Sequence, residues 1–148
     1  MAVVSRPELG TIRARRRPAI VLTSNRTREL HDALKRRALF HWIGHPSIER
    51  EVEIVLLRVP GIPERLAREA AAFVRGLRGL DLAKPPGVAE TIDWGQALAA
   101  LGREEIDAEV VEQTLGSVLK YREDIEAVRD ETLVGLIEEA RTTARSSG

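Results

Sequence analysis

Four arginines stand close together near the start of the sequence, where their charge is suited to binding phosphate. They are Arg13, Arg15, Arg16 and Arg17, and such a cluster neutralises phosphate groups whatever molecule carries them. The net charge falls along the chain, from +7 over residues 1–46 to −1 over 47–100 and −6 over 101–148. The basic part can attract phosphate, or the acidic part of the same or a neighbouring molecule. Solvated faces of opposite sign are the other interpretation.

The residue types argue against thiol, metal and serine-nucleophile chemistry. The sequence has no cysteine, which excludes disulfides, thiolate metal sites, iron–sulfur clusters and a catalytic thiol. The nearest carboxylates to its histidines, His31, His41 and His45, are Asp32 and Glu49, and a metal site needs three or four converging ligands, so no metal site is predicted. No Gly-x-Ser-x-Gly motif occurs, so the serines are not predicted to be nucleophiles.

The first 46 residues have the pattern of strands around one short helix. Residues 10–14 and 19–24, joined by the turn 15–18, are predicted to form a hairpin. A helix is predicted over 29–37 and a third extended segment over 39–43. Two or three strands with one helix cannot cover both faces of a sheet, so this part is predicted to belong to a larger α/β layer.

From Ser47 onward the apolar residues follow a helical period. Ser47 is predicted to cap the first helix, Pro63 to start the second and Asp107 to cap the fourth, with the third running through Trp94. A fifth is predicted from the apolar series Ile125, Val128, Leu133, Leu136 and Ile137. The fold class is therefore α+β overall and mostly α, with domains at 1–46 and 47–141 and a frayed tail at 142–148.

Several stretches together resemble a known family. They are residues 7–14, 21–37, 42–46, 84–94 and 115–121, which include Val21-Leu22-Thr23-Ser24-Asn25-Arg26 and Lys84-Pro85-Pro86-Gly87-Val88-Ala89-Glu90-Thr91-Ile92-Asp93-Trp94. In this order they resemble the second half of the MoxR branch of AAA+ ATPases, and most closely the chaperone-like ATPases of carbon monoxide dehydrogenase maturation. The resemblance implies a partial α/β core followed by a helical lid, in a ring usually of six subunits.

The resemblance also implies roles for individual residues. Asn25 matches the sensor-1 position, where an amide orients the attacking water or contacts the γ-phosphate. Arg36 and Arg37 match the arginine-finger region, which reaches the nucleotide of the next subunit; spacing from Pro46 favours Arg36 as the finger. The hairpin of residues 11–23 resembles the pre-sensor-1 insert. Alternatively, Asn25 closes a turn and the two arginines are solvated at a helix end.

The departures from the family pattern bear on activity. The sequence has no Gly-x-x-x-x-Gly-Lys-Ser/Thr loop to cradle phosphates and no apolar strand ending in Asp-Glu to hold Mg²⁺. Glu90-Thr91 stands at the lid position where many relatives have a sensor-2 arginine, which leaves Lys84 as a cationic candidate for binding nucleotide. ATP and Mg²⁺ are therefore expected only together with a half that carries these motifs, and the chain alone is expected not to hydrolyse ATP.

The function predicted on this basis is that of a truncated MoxR-type ATPase, chaperone-like in the assembly or maturation of a metalloenzyme. Its expected partners are other AAA+ subunits, or a second copy through residues 1–46, and a metalloenzyme client. The alternatives are a non-enzymatic helical interaction domain and a nucleic-acid binder acting through the arginine cluster. No apolar run is long enough for a membrane span and no signal peptide is evident, so a cytoplasmic location is expected.

Overall fold

The chain divides into two units, Met1–Trp42 and Ile43–Gly148. The computed structural model describes residues 3–6, 10–13, 16, 19–24 and 32–146. Over these ranges the chain is mostly helical, in agreement with the predicted balance of α and β structure. The predicted domain boundary after residue 46 stays a prediction.

The first unit contains a short antiparallel hairpin and one helical turn. Strand β1, Val3–Arg6, pairs with β2, Gly10–Arg13, so that Val3 lies opposite Arg13 and Arg6 opposite Gly10. Three residues separate the two strands in sequence, so closing this pair costs little chain entropy. Helix α1 is the single turn Asp32–Lys35.

The strand partner predicted for residues 10–14 is wrong. Residues 10–13 pair with the preceding segment, whereas residues 19–24 form neither strand nor helix. The third predicted strand, residues 39–43, is also wrong, because these residues are irregular. A segment stays in a sheet only when a neighbour accepts its N–H and donates to its C=O groups, and apolar sequence alone does not supply that neighbour.

These two irregular segments carry exposed apolar side chains. The exposed fraction is 72% for Ile20, 86% for Val21 and 62% for Leu22, and it is 103% for Leu39. Several large apolar side chains are therefore exposed in each of these two short segments.

In its described residues the second unit forms six helices, and three of them begin next to the residues predicted to start them, Ser47, Pro63 and Asp107. The helices are α2 Ile48–Arg58, α3 Glu64–Arg78, α4 Val88–Ala100, α5 Ala108–Val118, α6 Arg122–Ala127 and α7 Glu131–Ser146. The Ser47 side chain accepts the N–H of Arg50 at 3.3 Å, and the Asp107 carboxylate accepts the N–H of Val110 at 2.8 Å. Both residues therefore satisfy backbone donors that the first helical turn leaves free.

Helix α3 lies at the centre of the second unit and packs against α2, α4 and α7. Phe73 on α3 is fully buried against Trp94 on α4, with ring centroids 5.1 Å apart. The Trp94 indole N–H donates to the Thr114 hydroxyl on α5 at 2.7 Å, so the ring is buried without losing its polar partner. This aromatic pair joins three helices in one core.

The last predicted helix is two helices, so the prediction of a single one is wrong. The chain leaves α6 at Val128 and re-enters a helix at Glu131, and Asp130 between them has a φ of 59°. An aspartate tolerates this left-handed conformation better than most residues, and it interrupts the helical hydrogen bonds. The break lets Val128 and Leu133 both reach the core.

The tail predicted to fray after residue 141 is helical as far as Ser146. The Arg141 guanidinium donates from Nε to the backbone oxygen of Ile106 at 3.0 Å and from Nη2 to Glu105 at 3.2 Å. These bonds fasten the last turns of α7 to the α4–α5 loop. The polar composition of the tail does not reveal this contact.

Replacing Gly135 with alanine is expected to stabilise the second unit by roughly 0.5–1 kcal/mol, because Gly135 lies within α7 and a Cβ there would meet no atom within 4 Å. The measurement is thermal unfolding, with an expected rise in Tm of a few degrees. Gly61→Ala is the matched contrast: Gly61 has a φ of +83°, so the same change there should lower the Tm. An equal response at both positions would contradict the expectation.

Within the described ranges, no helix combines the length and apolar composition that crossing a bilayer requires.

Candidate functional site

Arg36 and Arg37 extend the single turn of α1. The Arg36 N–H donates to the backbone oxygen of Asp32 at 3.0 Å, and the Arg37 N–H donates to that of Leu34 at 3.1 Å. Both arginines are exposed, and neither forms an ion pair within the described part of the chain. Asp32 pairs instead with Lys35 at 3.6 Å. Two adjacent guanidinium groups are thus free to bind an anion from outside the chain.

The sensor-1 candidate, Asn25, lies outside the described residues, as do Arg15, Arg17 and His31. Arg16 is described and exposed. Arg13 lies in β2. The clustering of the four arginines thus rests on the sequence.

Lys84, the other cationic candidate, lies in the α3–α4 loop of the second unit, whereas Arg36 and Arg37 belong to the first. Its side chain is exposed. Its backbone N–H donates to Asp124 on α6 at 3.1 Å, next to the Ala83 N–H, which donates to the same carboxylate at 2.7 Å. The loop that carries Lys84 is therefore attached to a helix about forty residues further along the chain.

Three polar side chains join α2, α3 and α4 beside this loop. Arg78 on α3 makes a two-pronged ion pair with Glu51 on α2, with Nη1–Oε2 and Nη2–Oε1 distances of 2.7 and 2.8 Å. The Thr91 hydroxyl on α4 donates to Glu51 at 2.5 Å. The Arg78 Nε donates to the backbone oxygen of Pro86 at 2.7 Å, which ties the loop to the same cluster. The Arg78 side chain is 9% exposed and that of Glu51 1%.

Glu90, at the lid position where a sensor-2 arginine would stand by the resemblance, caps its own helix. Its Oε2 accepts the backbone N–H of Gly87 at 2.9 Å, which is the glutamate half of a capping box at the start of α4. A carboxylate used in this way lowers the cost of the free N–H groups in the first turn. Its contact is with the backbone of α4.

A second polar cluster fastens α3 to the α4–α5 loop. Buried Glu69 accepts the Ile106 N–H at 2.9 Å and the Arg65 Nε at 2.9 Å. Arg65 also pairs with Glu105, and the hydrogen bond to Glu69, with the charge of that carboxylate, raises the pKa of Arg65.

At the start of α2, the backbone N–H of Glu49 and then the Ser47 hydroxyl lower the pKa of the Glu49 carboxyl. Both effects belong to helix packing and capping.

A groove of about 480 Å³ lies where α5, α6 and the start of α7 meet. Its apolar floor is formed by Leu115, Ile125 and Leu133, and charged side chains line its edge. Sequence reasoning did not anticipate it, because it forms at the unpredicted break between α6 and α7.

The described residues contain no group of three or more histidine, aspartate or glutamate side chains able to hold a metal ion. His41 and His45 are both exposed. The Asp-Glu pair at 130–131 lies at the start of α7, not at the end of a strand. The described part of the chain thus offers cationic groups for a phosphate but no carboxylate site that fits Mg²⁺.

Sequence reasoning did not single out Asp124 or the Glu51–Arg78 pair. Charged residues on a helix are ordinarily solvated, and nothing in the spacing of these three marks them as buried. The signal that points to them is three-dimensional, because their partners lie 27 to 41 residues away in sequence.

Comparisons with models of known protein families, with curated proteins and with solved structures found no match.

Proposed function

We propose that the chain acts as the sensor-and-lid half of a MoxR-type AAA+ ATPase, chaperone-like in the maturation of a metalloenzyme. In this proposal it joins a polypeptide segment that carries the phosphate loop and the Asp-Glu pair, and it contributes an arginine finger to the nucleotide site of a neighbouring subunit. Arg36 or Arg37 places its charge beside the γ-phosphate, where it stabilises the negative charge that develops during transfer. ATP with Mg²⁺ supplies the phosphoryl group, and Mg²⁺ is held by the other half.

The observation that carries the proposal is the pair of exposed arginines at the end of α1, which have no acidic partner among the described residues. A finger must be free in its own subunit, because its partner is an anion bound by the next one. The surrounding first unit is strongly basic, which favours the approach of an anionic nucleotide.

The exposed apolar segments, residues 19–24 and 39–43, support the same proposal from packing. In the family that the sequence resembles, the corresponding segments are core strands; here they are irregular, and their apolar side chains are exposed. A complementary half of the sheet would cover these exposed apolar side chains. The helical second unit corresponds to the lid.

The test is reconstitution of an ATPase from two parts. A MoxR-type ATPase shortened after its Asp-Glu motif is co-expressed with this chain, and Mg²⁺-dependent ATP hydrolysis is measured for each part and for the purified complex. We expect hydrolysis from the complex and none from either part. Turnover by this chain alone, or a complex that forms and stays inactive, would contradict the proposal, and the second result would favour a non-enzymatic interaction domain.

Nucleic-acid binding is separated by a direct measurement. Fluorescence anisotropy with a duplex oligonucleotide at about 50 mM salt is compared with the triple variant Arg15→Ala, Arg16→Ala and Arg17→Ala. We expect no binding that depends on these arginines. Binding that falls steeply with salt and is lost in the triple variant would favour the hypothesis of a nucleic-acid-binding protein instead.

A further inference from the structure

The loop that carries Lys84 is held by a buried carboxylate from a distant helix. Asp124 on α6 is 3% exposed, and each of its oxygens accepts one backbone N–H, Oδ1 from Ala83 and Oδ2 from Lys84. A charged acceptor makes each of these bonds stronger than one between neutral groups. The backbone of Lys84 is therefore fixed at the residue itself.

The other side of Lys84 is fixed as well. The Pro86 oxygen accepts a bond from Arg78, and the Gly87 N–H donates to Glu90. Bonds from three different helices thus hold the backbone on both sides of Lys84. Its own side chain is exposed and forms no ion pair within the described ranges. Because the backbone is already fixed, an anion that binds the ammonium group has to order only the lysine side chain.

We infer that Asp124 is a positioning residue, which holds Lys84 so that its ammonium group contacts a phosphate of the bound nucleotide. This inference rests on the proposed function. Asp124 itself touches no nucleotide and acts through the backbone of Lys84. Without Asp124, the loop keeps Arg78 and Glu90 but loses both bonds at residues 83 and 84.

The experiment is a double-mutant cycle in the reconstituted complex, read out as the Kd for a fluorescent ATP analogue with Mg²⁺. Lys84→Ala is expected to weaken binding about tenfold, as loss of a charged contact does. Asp124→Ala should weaken it about threefold, because the other anchors remain. In a chain that already has Lys84→Ala, Asp124→Ala should change nothing further.

Two further variants separate positioning from stability. Asp124→Asn keeps one oxygen acceptor and should lie between the wild type and Asp124→Ala, and it serves as the test variant if the alanine variant does not fold. Thr114→Val removes the partner of the Trp94 indole in the same unit. It should lower the Tm while leaving the Kd for the nucleotide unchanged.

Hydrogen exchange on the full chain checks the anchor independently of any nucleotide. The Ala83 and Lys84 amides should exchange faster in Asp124→Ala than in Thr114→Val. Unchanged exchange of the Ala83 and Lys84 amides would overturn the inference. So would a loss of affinity from Asp124→Ala that is equally large in the wild-type chain and in the Lys84→Ala chain. A wild-type complex that binds no nucleotide overturns the proposed function together with the inference. A complex that binds nucleotide with the same Kd in the wild type, Lys84→Ala and Asp124→Ala overturns the inference and leaves the proposed function standing.

Discussion

Replacing Arg78 with alanine is expected to lower the free energy of unfolding of the second unit by about 3–5 kcal/mol. The change leaves the Glu51 carboxylate buried with only the Thr91 hydroxyl as partner, and it removes the bond to the Pro86 oxygen. An unpaired buried charge costs far more than a lost surface contact. The measurement is urea unfolding followed by circular dichroism.

Two controls test whether the loss of stability comes from an unpaired buried charge. Arg122→Ala breaks another Arg–Glu pair, but Arg122 is 88% exposed, so the change should cost less than about 1 kcal/mol. The double variant Glu51→Leu with Arg78→Met removes both charges and should be less destabilised than Arg78→Ala alone. If Arg78→Ala unfolds at the same urea concentration as Arg122→Ala, the pair does not hold the helices together as its geometry indicates.

Replacing both Arg36 and Arg37 with alanine is expected to reduce the ATPase rate of the reconstituted complex by roughly 10³–10⁵-fold, which is the usual contribution of an arginine finger. The effect should fall on kcat, because the finger acts on charge that develops in the transition state. The stability of the chain should change little, since both side chains are exposed and unpaired within the described residues.

The single variants identify the finger. Spacing along the sequence favours Arg36, so Arg36→Ala should account for most of the loss and Arg37→Ala for the smaller part. Lys35→Ala is the matched control, because it removes a neighbouring cation that already pairs with Asp32. A complex that retains its rate without either arginine would remove the strongest support for the proposed function.

The helical second unit was largely predictable because its signals are local. Ser47 and Asp107 mark helix starts because each side chain caps the helix by accepting the N–H of the residue three positions on. The break at Asp130 was not predictable in this way, since the apolar period continues across it. With Asp130 in the left-handed conformation, Val128 and Leu133 both pack in the core, and this packing is not visible in the sequence.

The first unit was predicted less well because strand pairing depends on the partner. The apolar run of residues 19–24 has the composition of a buried strand, yet composition does not say which chain segment lies beside it. The buried charges Glu51, Arg78 and Asp124 were missed for a related reason. Each is an ordinary helix-surface residue until a distant element covers it.

The cluster of Glu51, Arg78 and Thr91 also bears on how the second unit folds and unfolds. Glu51 and Thr91 lie 40 residues apart in sequence, so their bond forms only after α3 and α4 have come back against α2. Because the cluster closes a long loop and needs three helices in place, we expect it to form after the transition state for folding. Such contacts set how long the folded unit persists more than how quickly it is reached. We therefore expect that loss of the cluster speeds unfolding of the second unit more than it slows folding.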